Sequence, residues 1–307
     1  MNRDYKKYLA EIQDNVTSNP KIFWKFIRDK KKQTVIPGKL TYGGTEITDA
    51  QDIVDMFRKH FSSVFNTSSS NYGNDLWTSN NDSLHIHIAE ITEDDIRKAI
   101  KKLKTNSCAG LDAILAFFLK DCSNALIAPL HYIFNKCILT GIFPTMWKHT
   151  RVCHIHRGGE VTAIENYRPI SVLSNFAKIC ETVLYSHIYP LLEHSISTNQ
   201  HGFMAGRSTL TNLFSVTQFL SEELDQSKQV DVAYTDMSKA FDRIIHQLLL
   251  LKLGHYGFSK PLLSLFQSYL SDRNLTVIFN GHRSQNYIQL SGVPQGSNLG
   301  PLLFVFI

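Results

Sequence analysis

Hydrophobic and polar residues alternate most tellingly between 229 and 242, which reads Gln-Val-Asp-Val-Ala-Tyr-Thr-Asp-Met-Ser-Lys-Ala-Phe-Asp. Val230, Val232 and Tyr234 recur with the period of two expected of a half-buried strand. This predicts a strand that delivers Asp236 to its carboxyl end, followed by a helix with Ile244, Ile245, Leu248, Leu249 and Leu251 on its apolar face. Helical spacing recurs at 4–16, from Pro20 onward (Phe23, Trp24, Phe26, Ile27), from 48 to 64, and at 92–104, 123–140, 176–192, 209–226 and 260–271. Thr48 with Gln51, and Thr92 with Asp95, have the spacing of capping boxes. Gly43-Gly44 and Asn280-Gly281 predict hairpins, the second joining 274–279 to 284–290. A further strand is expected at 151–157. Residues 66–83 are rich in Asn, Ser, Thr and Asp, as in a mobile linker.

Composition narrows the class. A chain of 307 residues, 43% of them hydrophobic, can bury a core extending over more than one lobe. No run reaches the ~20 apolar residues of a membrane span, and the first fifteen residues lack the apolar centre of a signal peptide. Five cysteines without paired spacing point to reduced thiols and an intracellular location, with nucleus and cytoplasm undistinguished. The net charge of +5 is concentrated at the amino end, where residues 1–34 hold nine Lys or Arg against four Asp or Glu. Such an end suits phosphate backbones; it equally describes a solvated helix face.

Candidate chemistry begins with Asp236. A carboxylate at a strand mouth, six residues ahead of Asp242, suits magnesium, which takes a few hard oxygen ligands and completes its shell with water and phosphates. Aspartate also caps helices, and the spacing leaves both readings open. A second stretch, 291–301, reads Ser-Gly-Val-Pro-Gln-Gly-Ser-Asn-Leu-Gly-Pro, whose glycines allow tight turns close to a ligand. At 166–171 (Asn-Tyr-Arg-Pro-Ile-Ser), Pro169 forces Arg168 into an extended backbone. The guanidinium fork there suits a phosphate or a neighbouring carboxylate. Cys153, His154 and His156 have zinc-ligating side chains, but successive strand residues face opposite ways and no matching pair lies nearby, which argues against zinc.

Four blocks in chain order carry a resemblance: 166–171; 200–209 (Gln-His-Gly-Phe-Met-Ala-Gly-Arg-Ser-Thr); Asp-Met-Ser-Lys-Ala-Phe-Asp at 236–242; and the loop 291–301. Together they resemble the reverse transcriptase of non-LTR, LINE-type retrotransposons, especially the jockey-like kind. The resemblance implies an α+β fold, with right-hand polymerase fingers and an incomplete palm preceded by a helical N-terminal segment. It divides the chain into a basic connector (1–65), a linker (66–83), fingers and the N-terminal part of the polymerase domain (84–228), and a partial palm (229–307).

It further implies an RNA-directed DNA polymerase working through two metals about 4 Å apart, Mg2+ or Mn2+, on an RNA template, a DNA primer and deoxynucleoside triphosphates, with no membrane partner and an undetermined oligomeric state. By resemblance, Asp236 and the Met237 carbonyl bind metal. Phe241 abuts the sugar (or simply packs in the core), Arg168 meets phosphate, and Gln295 and Gly296 line the nucleotide pocket. Arg157, Gly206 and Arg207 would face the template, and Asp242 would orient the turn.

Three departures from the family pattern stand out. The block usually reading Gly-Pro-Asp-Gly-Ile-Pro is Gly110-Leu111-Asp112-Ala113-Ile114-Leu115, Met204 stands where arginine is usual, and His154-Ile155-His156-Arg157 replaces Pro-Ile-Phe-Lys. The family's two remaining carboxylates belong to an Ala-Asp-Asp block past the glycine loop, which does not occur before Ile307. The expectation is therefore little or no polymerase activity from this chain alone. The rival expectation, from a different class, is a non-catalytic RNA- or DNA-binding remnant of a degenerate element.

Overall fold

The computed structural model describes residues 37–66 and 85–306. The helices expected before residue 35 and nearly all of the expected linker lie outside that set. The described residues form a mixed fold of helices and one main sheet. A small hairpin, β1 (Leu40–Tyr42) with β2 (Thr45–Ile47), turns at Gly43-Gly44 and leads into helix α1 (Ala50–Ser62). Four helices follow around a long extended strand: α2 (Glu93–Lys102), α3 (Ala116–Asp121) and α4 (Ser123–Thr140) before β3 (His149–His156), and α5 (Asn175–Leu192) after β4 (Tyr167–Val172). The remainder comprises α6 (Thr209–Asp225), α7 (Ala240–Arg243), α8 (His246–His255), α9 (Lys260–Leu270), β5 (Asn274–Phe279), β6 (His282–Arg283), β7 (Tyr287–Ile288) and α10 (Leu299–Val305).

The sheet runs β4-β3-β5-β6, with β7 also on β5. β3 pairs antiparallel with β4 and parallel with β5, so strands far apart in sequence share one surface. On one face lie Ile53, Val54, Phe57 and Phe61 of α1, packed with Val152, Leu275, Val277 and Phe279. The second core is mostly helical and gathers Ile96, Phe134, Phe143, Ile179, Leu253, Phe266 and Leu303. Phe143 sits edge-on to both Trp147 and Tyr269.

Much of the expected helix pattern is present, with instructive exceptions. Thr92 and Asp95 form the expected reciprocal cap. The cap of α1 is instead Asp49, whose carboxylate accepts from Gln51 and Asp52 backbone N–H at 2.8 and 3.1 Å. Thr48 lies one residue too early, and the Gln51 side chain reaches away to Asp55 and the Arg283 carbonyl. The strand expected at 284–290 is divided: Ser284 Oγ accepts from Val277 N–H, Thr276 donates to Asn286 Oδ1, and these side-chain bonds replace part of the ladder.

The largest correction concerns 229–237. This stretch has no regular structure, and Val232 and Tyr234 stand 50% and 92% exposed. A strand requires a neighbour for its backbone groups, and no described strand pairs with it. The preceding α6 likewise has no buried residue, with Leu210, Leu213, Phe214 and Phe219 in solvent. Alternation marks which residues want burial; it does not supply the edge that buries them.

His154 shows what its strand position does. Its ring stacks on Phe57 at 4.5 Å, its Nδ1 is buried without a partner, and burial lowers its pKa to about 4. Because the unfolded ring titrates near 6.5, stability from this site is complete above pH 6.5 and lost as pH falls toward 4. The loss amounts to about 3 kcal/mol at most. Urea midpoints followed from pH 7.5 to 4.5 should fall, with a shallower fall in His154→Phe; identical slopes would contradict this. His60 and His246, also shifted down by burial, add slope of the same sign.

Candidate active site

The loop after β7 is fastened onto the chain around Asp242. Gly292 N–H donates to the Ile244 carbonyl at 2.7 Å and Val293 N–H to the Phe241 carbonyl at 2.9 Å. Those carbonyls would otherwise accept from the next helical turn. The helix expected after the turn at Asp236 is therefore broken into α7 and α8, with Ile244 and Ile245 extended between them. Gly292 has φ +80, and a Cβ there would overlap the Phe241 oxygen and come within 2.6 Å of Asp242 Cα. His246 Nε2 lies 2.7 Å from the Gly292 carbonyl, so that nitrogen donates.

Asp242 is buried, and Gln295 Nε2 donates to both its carboxylate oxygens, at 2.8 and 2.9 Å. Burial pushes this carboxyl above the usual range, opposed by the glutamine bonds and by Lys239 and Arg168. The Gln295 backbone carbonyl accepts from Ser171 N–H at 2.7 Å. At Gly296, φ +106, a Cβ would come within 2.8 Å of the Ser171 oxygen. The loop thus lies against the end of β4 on one side and against 241–244 on the other. Beyond it, Glu181 of α5, wholly buried, accepts from Asn298 N–H at 2.7 Å and from the Tyr269 hydroxyl at 2.8 Å. That carboxylate seats the start of α10.

These segments enclose a cleft of about 510 Å³. Asp236, Met237, Phe241, Gln295, Gly296, Arg168 and Arg157 all line it. Gly206 and Arg207 do not: the Arg207 guanidinium instead bonds the carbonyls of Thr198 and Gln200 within its own loop. From the same block it is Phe203, at φ +63, that reaches the cleft, edge-on to Phe241 and Phe304. Phe241 and Phe304 stack at 4.3 Å. Arg157, Arg168 and Lys239 face Glu165, Asp236 and Asp242 across this space, a balance of three cations and three carboxylates.

Lys239, His60 and Phe304 are lining residues that the sequence reading passed over. Lys239 stands two places before a named residue, inside a recognised block; His60 comes from a helix with no sequence link to the cleft. The acids do not form a two-metal centre. Asp236 is open to solvent, Asp242 has both oxygens occupied by Gln295, and among the described residues no three His, Cys, Asp or Glu side chains are grouped to hold a metal ion.

Residues 155–307 match the family described as reverse transcriptase (RNA-dependent DNA polymerase). The chain belongs to the reverse transcriptases of non-LTR retrotransposons. It is 31% identical over 224 residues to the probable RNA-directed DNA polymerase from transposon BS of Drosophila melanogaster, covering 72% of this chain and 25% of that protein. Identity to the X-element polymerase of the same organism is 31% over 213 residues, 68% of this chain and 23% of the relative. For the polymerase from its mobile element jockey it is 29% over 224 residues, 72% and 24%. The chain therefore spans about a quarter of the length of these curated relatives. In this reverse transcriptase segment, the 291–301 loop and the 236–242 block are the two sides of one cleft. Among the described residues, no helix is long and apolar enough to cross a membrane.

The packing around Gly292 sets a contrast with the hairpin glycine. Gly281, φ +84, has open space where a Cβ would go, so Gly281→Ala should cost only the left-handed strain of about 1–2 kcal/mol. Gly292→Ala adds backbone overlap and should cost about 3 kcal/mol or more. Urea denaturation of both variants checks this, and equal losses would contradict the loop packing described.

Proposed function

We propose that this cleft holds the incoming nucleotide of a template-directed nucleotidyl transfer, as in RNA-directed DNA synthesis. The supporting observation is that Asp236, Arg168 and the Gln295-Gly296 peptide, widely separated in sequence, line one space. Arg168 is fixed on β4 to meet a phosphate with its planar fork. Phe241, backed by Phe304, forms an apolar wall for the sugar, and Gly296 allows close approach of the backbone. Gln295 acts through Asp242, because its amide N–H groups are committed to that carboxylate. Arg157 belongs with the phosphate-facing cations in this reading, while Gly206 and Arg207 shape the loop that presents Phe203. The segments assigned to fingers (84–228) and palm (229–307) both contribute residues to the cleft, as do His60, Phe61 and Val64 of the connector.

In the two-metal scheme, Mg2+ held here would supply Lewis-acid activation of a primer hydroxyl and charge balance for a leaving pyrophosphate. Asp236, with the Met237 carbonyl beside it, is the open carboxylate here. One carboxylate is a weak holder of two dications, so the 307-residue chain by itself should bind nucleotide and nucleic acid while incorporating little or nothing. The same sparse donor set favours, as the second reading, nucleic-acid binding without catalysis.

Titration of the 307-residue chain with fluorescent dTTP and Mg2+, beside primer extension on poly(rA)/oligo(dT), tests both readings. Arg168→Ala should weaken dTTP binding about ten-fold or more, with negligible extension by every form. Unchanged nucleotide affinity in Arg168→Ala would remove the nucleotide assignment. Extension by the unaltered chain that disappears in Asp236→Ala would overturn the expected inactivity.

A further inference from the structure

The block at 110–122, which departs from the family pattern, forms a surface that the cleft does not use. Helix α3 buries Ala116 and Leu119 and thereby turns the intervening Phe117 and Phe118 outward. The two rings stack on each other with centroids 4.2 Å apart and an interplanar angle of 29°. They remain 41% and 53% exposed, beside Leu115 at 42%. Lys120 donates to the Lys101 carbonyl at 3.1 Å, which joins α3 to the end of α2, where Lys101, Lys102 and Lys104 are exposed. Lys98, one turn earlier, is paired with Asp94 at 2.8 Å. Among the described residues, no carboxylate lies within ion-pair distance of Lys101, Lys102, Lys104 or Lys120. Asp112 and Asp121 are the acids of this block.

Lysines at a helix C-terminus are accounted for by the helix dipole. Two stacked phenylalanines facing water are not. We propose that Phe117 and Phe118, with Lys101, Lys102, Lys104 and Lys120, form a binding platform for single-stranded nucleic acid, separate from the nucleotide cleft. Aromatic faces take unpaired bases without regard to sequence, while nearby unpaired ammonium groups take the phosphates. A duplex keeps its bases stacked on one another and has no face to offer the rings. The uncompensated cations favour a polyanion over an apolar protein segment.

The test uses the full 307-residue chain and fluorescein-labelled oligo(U) of twelve nucleotides, followed by anisotropy at several salt concentrations. All variants are made in an Arg168→Ala background, so that loss of the cleft reading would leave this result intact. Phe117→Ala/Phe118→Ala should weaken binding about five-fold or more with little change in salt slope, and Phe117→Trp/Phe118→Trp should retain it. Lys101→Ala/Lys102→Ala/Lys104→Ala should reduce the slope of log affinity against log salt by about 2. Circular dichroism confirms that each variant is folded. Unchanged affinity on removal of the rings overturns the proposal. So does an effect of the lysines alone, or a change in sedimentation in place of RNA affinity, which would mark a protein-docking surface.

Discussion

A buried carboxylate needs partners, and Asp242 finds its main one across more than fifty residues of chain in the amide of Gln295. The arrangement depends on that bond because neither partner has an adequate substitute. Water is largely excluded from Asp242, whose carboxyl is already pushed upward by desolvation, with Lys239 and Arg168 only partly offsetting the effect. Removal of the amide would leave an unsatisfied acceptor in low dielectric, a larger loss than the bond's own net contribution. The loop is accordingly pinned by its central side chain, and its backbone then takes the carbonyls of Phe241 and Ile244 that a continuous helix would have used. The break between α7 and α8 and the floor of the cleft are two consequences of one contact.

The pinning extends outward in both directions. Ser291 Oγ donates to the Asp242 carbonyl at 2.6 Å and accepts from Asn66 N–H at 2.7 Å, so the tail of α1 is tied to the same point. Helix α1 lies outside the segment that matches the reverse transcriptase family, yet His60 and Phe61 line the cleft. On the far side Glu181 seats α10 and is itself held by Tyr269, over whose ring Arg273 lies at 5.0 Å. Sheet, N-terminal helix and C-terminal loop therefore converge on a few buried polar groups, and the cleft occupies the space they leave.

Legibility in the sequence followed the range of the interactions involved. Helices α2, α4 and α9 were readable because their apolar spacing is local, reinforced at α2 by the Thr92–Asp95 cap, as was the turn at Asn280-Gly281. The strand at 229–237 was not. Val230, Val232 and Tyr234 record a preference for burial, whereas pairing depends on a neighbour that no local pattern specifies. The capping of α1 passed from Thr48 to Asp49 because adjacent residues both had suitable side chains, and only backbone geometry separates them. Within the site, most of the named residues in the recognised blocks came to line one cleft. Arg207 did not, since nearby carbonyls satisfy its guanidinium. His60 carried no advance signal at all, because its role arises from tertiary packing of a helix far from the motifs.

The Asp242–Gln295 contact, and not the two residues separately, holds the loop in place. A double-mutant cycle of Asp242→Ala, Gln295→Ala and the combined variant, read by urea unfolding, measures this coupling directly. An interaction energy of about 1.5–3 kcal/mol is expected. Single losses that add within about 0.5 kcal/mol would contradict it.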